Sequence, residues 1–268
     1  MSARELRAGA VFVRDWGGAG PRLLLTHGMA AHTHWWDPVV PRWNGAVHAA
    51  ALDFRGHGDS EWLEGEPYLS ERWVEDIDAA RRALCWDRFV LVGHSMGARI
   101  ALDYAAVHGA SLRGVCAIDF LPEFYESRSR RHEKTRSRAQ PVYPDEETML
   151  AKFRLQPPGT LLDEAAVRAL GRHGVRKGAE GWTWKFDWRS FSFPYGPVWP
   201  RLAQISVPAL VVRGEHSKVM PRDAYERVLS ELKGAKGVDI PGAHHHVPLD
   251  SPKELADAVL AWTAGLGA

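Results

Sequence analysis

Apolar residues in this chain come in short runs that stop at glycine or at a polar turn. Ala10 to Arg14 alternates into Trp16 and meets the breaker Gly17-Gly18-Ala19-Gly20-Pro21. Arg22 to Thr26 reads as a buried strand ending at His27-Gly28. Further runs cover Val47 to Leu52, Phe89 to Val92, Arg113 to Ile118, Pro208 to Val212 and Gly237 to Ile240. Helical periods fall between them. Ser70 to Leu84 opens with Ser70 as its predicted N-cap. Met96 to His108 carries small residues at Ala98, Ala101 and Ala105 that allow close packing on a sheet. Arg222 to Leu232 and Pro252 to Thr263 complete the set. Near-continuous apolar strands alternating with helices predict an α/β fold, with a mostly parallel, doubly wound sheet covered on both faces.

The rhythm fails between Leu121 and Gln204. A basic, polar run (Ser127 to Arg138) is followed by Pro141, Pro144, Pro157 and Pro158, then by a helix-like stretch from Asp163 to Arg172. The segment closes on an aromatic run: Trp182, Trp184, Phe186, Trp188, Phe191, Phe193, Tyr195 and Trp199. A structureless loop of that length is improbable. An inserted, mostly helical subdomain is therefore predicted over 121–204, with 1–120 and 205–268 forming the core.

Composition narrows the functions. The 268 residues are 45% hydrophobic and 25% charged, with a formal net charge of +1, so no global field grips a nucleic acid or an anionic membrane. The basic run around Arg128, Arg130, Arg131 and Lys134 is interrupted by serines and Glu133 and reads as a solvated surface. Cys85 and Cys116, the only cysteines, have neither metal-ligand nor disulfide-framework spacing, and a reducing cytoplasm is expected. Met1 to Glu5 leads into no apolar stretch, so neither a signal peptide nor a membrane span is expected.

The sharpest chemical signal is Gly93-His94-Ser95-Met96-Gly97, between an apolar strand and a helix. It matches G-x-S-x-G in the context that motif requires. A serine on so tight a turn stands clear of the sheet, and the helix N-terminus behind it favours developing negative charge. Acyl transfer also needs two backbone N–H groups aimed at an oxyanion. Met96 is placed to supply one, and Met29, after the Gly28 turn, the other. A general base is offered by the loop Pro241-Gly242-Ala243-His244-His245-His246. Three adjacent histidines also raise the question of a metal. Consecutive residues do not easily converge on one ion, and no carboxylate or thiolate has ligand spacing, so no metal and no other cofactor is expected.

Taken together, His27-Gly28, Asp53-Phe54-Arg55-Gly56-His57-Gly58-Asp59-Ser60, Gly93 to Gly97 and the histidine loop resemble the α/β-hydrolase fold family. The resemblance covers nearly all of the chain outside 121–204, and that insert resembles the helical cap of many members. Laid on the family's Gly-x-Gly-His pattern, His245 takes the catalytic position. The Asp53 to Ser60 segment is read mainly as a structural loop. The acid departs from the common pattern. Many relatives carry it after the strand placed here at Pro208 to Val212, where this chain offers Ser217 and Lys218. Some members carry it one strand earlier, where Asp119 stands. The order Ser95, Asp119, His245 then follows nucleophile, acid, histidine. Glu215 is the alternative acid.

The resemblance implies a serine esterase acting on apolar or aromatic carboxylic esters, with Trp182, Trp184 and Trp188 of the insert contributing to the pocket. Lactone hydrolysis and carbon–carbon bond hydrolysis use the same machinery. A weakly hydrolytic ligand receptor on the same fold is the reading from another class.

Overall fold

The computed structural model describes residues 2–123, 139–192 and 196–267. The basic run centred on Arg130, and also Phe193 and Tyr195, lie outside those residues. Eight strands form one sheet: β1 (Arg4–Ala8), β2 (Val11–Gly17), β3 (Arg22–Thr26), β4 (His48–Asp53), β5 (Phe89–His94), β6 (Leu112–Ile118), β9 (Ala209–Gly214) and β10 (Lys236–Ile240). Their spatial order is β1-β2-β4-β3-β5-β6-β9-β10. The pairings β1·β2 and β2·β4 are antiparallel, and every pairing from β4·β3 to β9·β10 is parallel.

β5 and β9 are buried along their whole length and β3, β4 and β6 at all but one residue, and this is why they read as apolar runs. β1 escapes that logic. Its sequence Arg-Glu-Leu-Arg-Ala lies at the sheet edge with only Ala8 buried, so it carries no apolar run to detect.

The helices α1 (Ser70–Ala83), α2 (Met96–His108), α6 (Arg222–Glu231) and α8 (Pro252–Ala264) cover the sheet. One hydrophobic cluster gathers Trp73, Ile77, Ala98, Ala101 and Tyr225 against one face. The other gathers Trp36, Trp43, Val259 and Trp262 against the opposite face. Ser70 does not cap α1 as predicted. Leu69 holds that position, and the Ser70 hydroxyl donates to Asp103 of α2 instead.

The described part of 121–204 holds α3 (Glu146–Leu150), α4 (Glu164–His173), α5 (Trp199–Leu202) and an antiparallel hairpin of β7 (Val175–Lys177) and β8 (Trp182–Trp184). The short helix α7 (Val247–Asp250) precedes α8. Asp145 and Asp163 cap α3 and α4 through their carboxylates. The segment touches the loops that follow the parallel strands. Lys185 pairs with Asp59 at 2.7 Å, Asp187 N–H donates to the Gly56 carbonyl at 2.8 Å, and Thr160 Oγ1 donates to Asp250 at 2.6 Å. No helix among the described residues is long and apolar enough to cross a membrane.

Candidate active site

β5 runs buried to His94, the chain turns at Ser95, and α2 begins at Met96. Ser95 has φ +56°, the left-handed region where a side chain is disfavoured. Such a conformation costs on the order of 1–3 kcal/mol and persists because its surroundings fix it. Ser95 N–H donates to the Ile118 carbonyl at 2.9 Å, and the Ser95 carbonyl accepts from Ala98 N–H at 3.1 Å. Two glycines make room for this turn. A Cβ on Gly97 would stand 2.6 Å from the His27 carbonyl oxygen, and one on Gly28 would stand 3.1 Å from the Ser95 Cβ. Ser95, between the end of β5 and the start of α2, thus has room for its side chain to reach His245.

The Ser95 hydroxyl lies 3.0 Å from His245 Nε2, and His245 Nδ1 lies 2.7 Å from Asp119 Oδ1. The carboxylate can only accept, so Nδ1 carries the proton and Nε2 presents a lone pair to the hydroxyl. Asp119 is fully buried and follows β6 with φ +40°. It is well supplied with donors. Gly214 N–H reaches Oδ2 at 2.8 Å, and Ser217 Oγ–H reaches Oδ1 at 2.6 Å. Ser217, which cannot serve as an acid, therefore binds the one that touches the histidine. Glu215 is exposed and accepts instead from Gly242 N–H at 2.8 Å.

The amides of Met29 and Met96 donate to no group among the described residues. Met29 is held by His27, whose Nδ1–H donates to the Gly28 carbonyl at 2.7 Å while Nε2 accepts from Phe54 N–H at 3.1 Å. Burial pushes the His27 ring well below its ordinary pKa, with His57 adding to the effect, so both nitrogens keep these fixed roles. The Asp53 to Ser60 loop ties the same region together. Asp53 accepts from Thr33 N–H at 2.6 Å and from Asp59 N–H at 2.9 Å, and Arg55 Nε donates to Asp76 at 2.5 Å.

The insert's tryptophans are divided. Trp184 is buried with Met149, Leu150 and Val175, and Trp182 packs at the edge of that cluster, so these two serve the insert's own core. Trp188 opens the turn Trp188–Ser192, whose Ser190 Oγ lies 3.5 Å from Met29 Sδ. Of the three, only Trp188 belongs to the turn that reaches the Gly28–Met29 loop, and it does so through Ser190.

Sequence reasoning expected His246 beside His245, facing the pocket rim, whereas it is buried, and did not anticipate His94. The His94 and His246 rings lie 4.9 Å and 5.1 Å from that of His245. Burial first, and then His245, push His94 well below its ordinary pKa and His246 down to about 3. Two groups of possible metal ligands occur among the described residues, His94/His245/His246 and His34/Asp37/His173.

An alpha/beta hydrolase family model matches residues 23–258, and the chain belongs to that family. Over 247 residues it is 28% identical to 2-(acetamidomethylene)succinate hydrolase of Mesorhizobium japonicum, covering 90% of this chain and 87% of that protein. It is 26% identical over 262 residues to esterase Rv0045c of Mycobacterium tuberculosis, covering 95% of this chain and 87% of the esterase. A solved structure of E-2-(acetamidomethylene)succinate hydrolase superposes with a TM-score of 0.83 at 25% identity, over 98% of this chain and 99% of that one. A shorter likeness, 33% over 112 residues, joins 40% of this chain to 37% of a fluoroacetate dehalogenase of Burkholderia. The relatives are hydrolases, and this chain is an α/β hydrolase.

Proposed function

We propose that the protein is a serine hydrolase that cleaves carboxylic esters of apolar or aromatic substrates through an acyl-enzyme. The observation that carries this reading is the hydrogen-bonded chain from Ser95 Oγ through His245 to Asp119, at 3.0 Å and 2.7 Å. His245 Nε2 takes the Ser95 proton as Oγ attacks the ester carbonyl. The imidazolium that forms is stabilised by the Asp119 carboxylate, which stays ionised. The carbonyl oxygen becomes an oxyanion held by the Met29 and Met96 amides, which have no competing partner. His245 then hands its proton to the leaving alcohol, and water enters by the same route to release the acid. The preference for apolar substrate rests on the half-buried Met29 and on the turn Trp188–Ser192 that meets it through Ser190.

The reading is supported by an esterase among the relatives. It is tested by p-nitrophenyl esters of rising acyl length and by a fluorophosphonate probe. Wild type is expected to label once, at Ser95, and to turn over. Ser95→Ala is expected to lose labelling and about 10⁶-fold in kcat. A wild type that binds apolar ligand stoichiometrically but neither labels nor turns over would sink the reading.

A further inference from the structure

Ser95 and Asp119 are set by the sheet, but the third member of the triad stands on a loop. The stem of that loop belongs to the core, where the Ala243 carbonyl accepts from His216 N–H at 2.9 Å. Beyond the stem the contacts lead elsewhere. The His245 carbonyl accepts from His94 Nε2–H at 2.9 Å, but the residues on either side of His245 are joined to the 121–204 insert. His246 Nε2–H donates to the Pro157 carbonyl at 3.0 Å. His244 N–H donates to Asp250 Oδ2 at 2.9 Å, and Asp250 Oδ1 accepts from Thr160 Oγ1–H at 2.6 Å and from Leu161 N–H at 2.9 Å. Gly159 packs on the His244 ring, where a Cβ would stand 3.4 Å from Nδ1. Leu249 is buried in one cluster with Leu155 and Leu170 of the insert.

Asp250 is the joint between the two bodies. It closes the short helix α7, and its own N–H donates to the His246 carbonyl at 2.9 Å. A carboxylate accepts on both oxygens and donates from neither. Here one oxygen serves the insert and the other serves the backbone beside the general base. The donors of Thr160 and Leu161 fix the rotation of the carboxylate, and that rotation aims Oδ2 at His244 N–H.

We propose that Asp250 is a positioning residue for His245 that transmits the seating of the insert to the general base. The inference rests on the hydrolase reading above, since it concerns the histidine that takes the Ser95 proton. With residues 157–161 seated, the peptide before His245 is held and Nε2 stays 3.0 Å from Ser95 Oγ. With that segment lifted, Oδ1 loses both donors, the carboxylate is free to turn, and the His246 ring loses Pro157. A displacement of about an ångström in a reacting pair can cost about 100-fold in rate. The base is then fully in place only while the insert is seated.

Steady-state kinetics with p-nitrophenyl acetate and the proton NMR resonance of the His245–Asp119 hydrogen bond test this. Asp250→Asn keeps the shape but exchanges one acceptor for a donor, so one of the two bodies must be let go. It is expected to lower kcat about 30-fold with KM held within about twofold. Thr160→Val removes a donor to Oδ1 and is expected to lower kcat about fivefold, with Thr160→Ser restoring it. The double variant Thr160→Val/Asp250→Asn is expected to be no slower than Asp250→Asn alone, since both changes cut one link. The His245 Nδ1 proton resonance is expected to shift or broaden in Asp250→Asn and in Thr160→Val. It is expected to match wild type in Tyr68→Phe, which loosens the insert at a tie to Asp187 that does not touch the histidine loop. The proposal is overturned by unchanged kcat in Asp250→Asn, by a Thr160→Val loss that appears in KM alone, by losses that add in the double variant, or by a resonance that moves in neither variant. If Asp250→Asn does not fold, the two Thr160 variants decide. A wild type that turns over no ester refutes the hydrolase reading, and the resonance in the Asp250 and Thr160 variants then still decides the positioning role.

Discussion

Ser95 and Asp119 hang from the ends of neighbouring buried strands, whereas the insert is tied down by side chains reaching across its rim. At the strand ends the backbone is clamped on both sides. Ser95 N–H binds Ile118, and Asp119 N–H binds Val212 at 2.8 Å. Neither position can shift without breaking the sheet. The insert depends on links such as Tyr68 Oη–H to Asp187 at 2.9 Å and Lys185 to Asp59, whose side chains are 20% and 40% exposed. Exposed ion pairs contribute at most about 1 kcal/mol each. The strand ends that carry Ser95 and Asp119 are thus held by backbone pairing within the sheet, whereas the 121–204 segment leans more on side-chain links.

The sharpest attempt to break this contrast is Asp119→Asn. It is expected to lower kcat about 10⁴-fold with the fold intact, because the amide leaves His245 in the wrong tautomer. Glu215→Gln is expected to stay within about twofold, since its carboxylate binds Gly242 N–H and not His245. Steady-state kinetics on both variants reassigns the acid if the two results are exchanged.

Acid tests the core side of the comparison. His27, His32 and His94 titrate well below 6.5 when folded, His57 at about 4 and His246 at about 3, chiefly because they are buried. Each is neutral in the fold and gains a proton on unfolding, so each contribution is present above pH 6.5 and lost as pH falls toward the folded value. Asp53 and Asp76, raised to about 6 by burial, act in the opposite sense between pH 6 and 3.8. Five histidines outweigh two carboxyls. Urea midpoints are expected to fall steadily below pH 6.5, with each uncompensated histidine adding up to about 1.4 kcal/mol per pH unit. A midpoint that is flat from pH 7 to 5 would show that these rings are not buried as neutral groups.

Ser217→Ala should cost less. It removes one donor from a carboxylate that keeps Gly214 N–H and His245, and about a tenfold loss in kcat is expected with KM unchanged. A smaller effect than that of Ser217→Ala belongs to the insert. Tyr68→Phe cuts the tie to Asp187 and is expected to raise KM about threefold while kcat holds, since nothing at Ser95 depends on that link. A larger fall in kcat than in 1/KM would mean that the two regions are coupled.

The sequence made the two regions legible to different degrees. Buried parallel strands leave unbroken apolar runs, and α2 was bounded at Met96 and His108 because glycine and sheet contact leave strong marks there. Edge strand β1 left none. The elbow was readable because its glycines answer a local steric demand. Asp119 was reached by way of family pattern, and the reason it suits the place, the donors on Gly214 and Ser217, arises from pairing of β6 with β9 across 90 residues of chain or more. The insert's tryptophans were ambiguous because a strand-like alternation states which residues share a face and not which side that face meets. Trp184 turned inward onto Met149 and Leu150. The bare nitrogens of His94 and His246 had no sequence signal, since their partners are backbone carbonyls.

The meeting of Asp119 and Ser217 also bears on how firmly the imidazole is held. β6 and β9 are adjacent and parallel, so the residues that follow them, Asp119 and Ser217, meet beside the same imidazole nitrogen. The residue at one end holds the negative charge and the residue at the other holds a hydroxyl that greets it at 2.6 Å. One imidazole nitrogen therefore answers to two strands at once, through the carboxylate that follows β6 and the hydroxyl that follows β9.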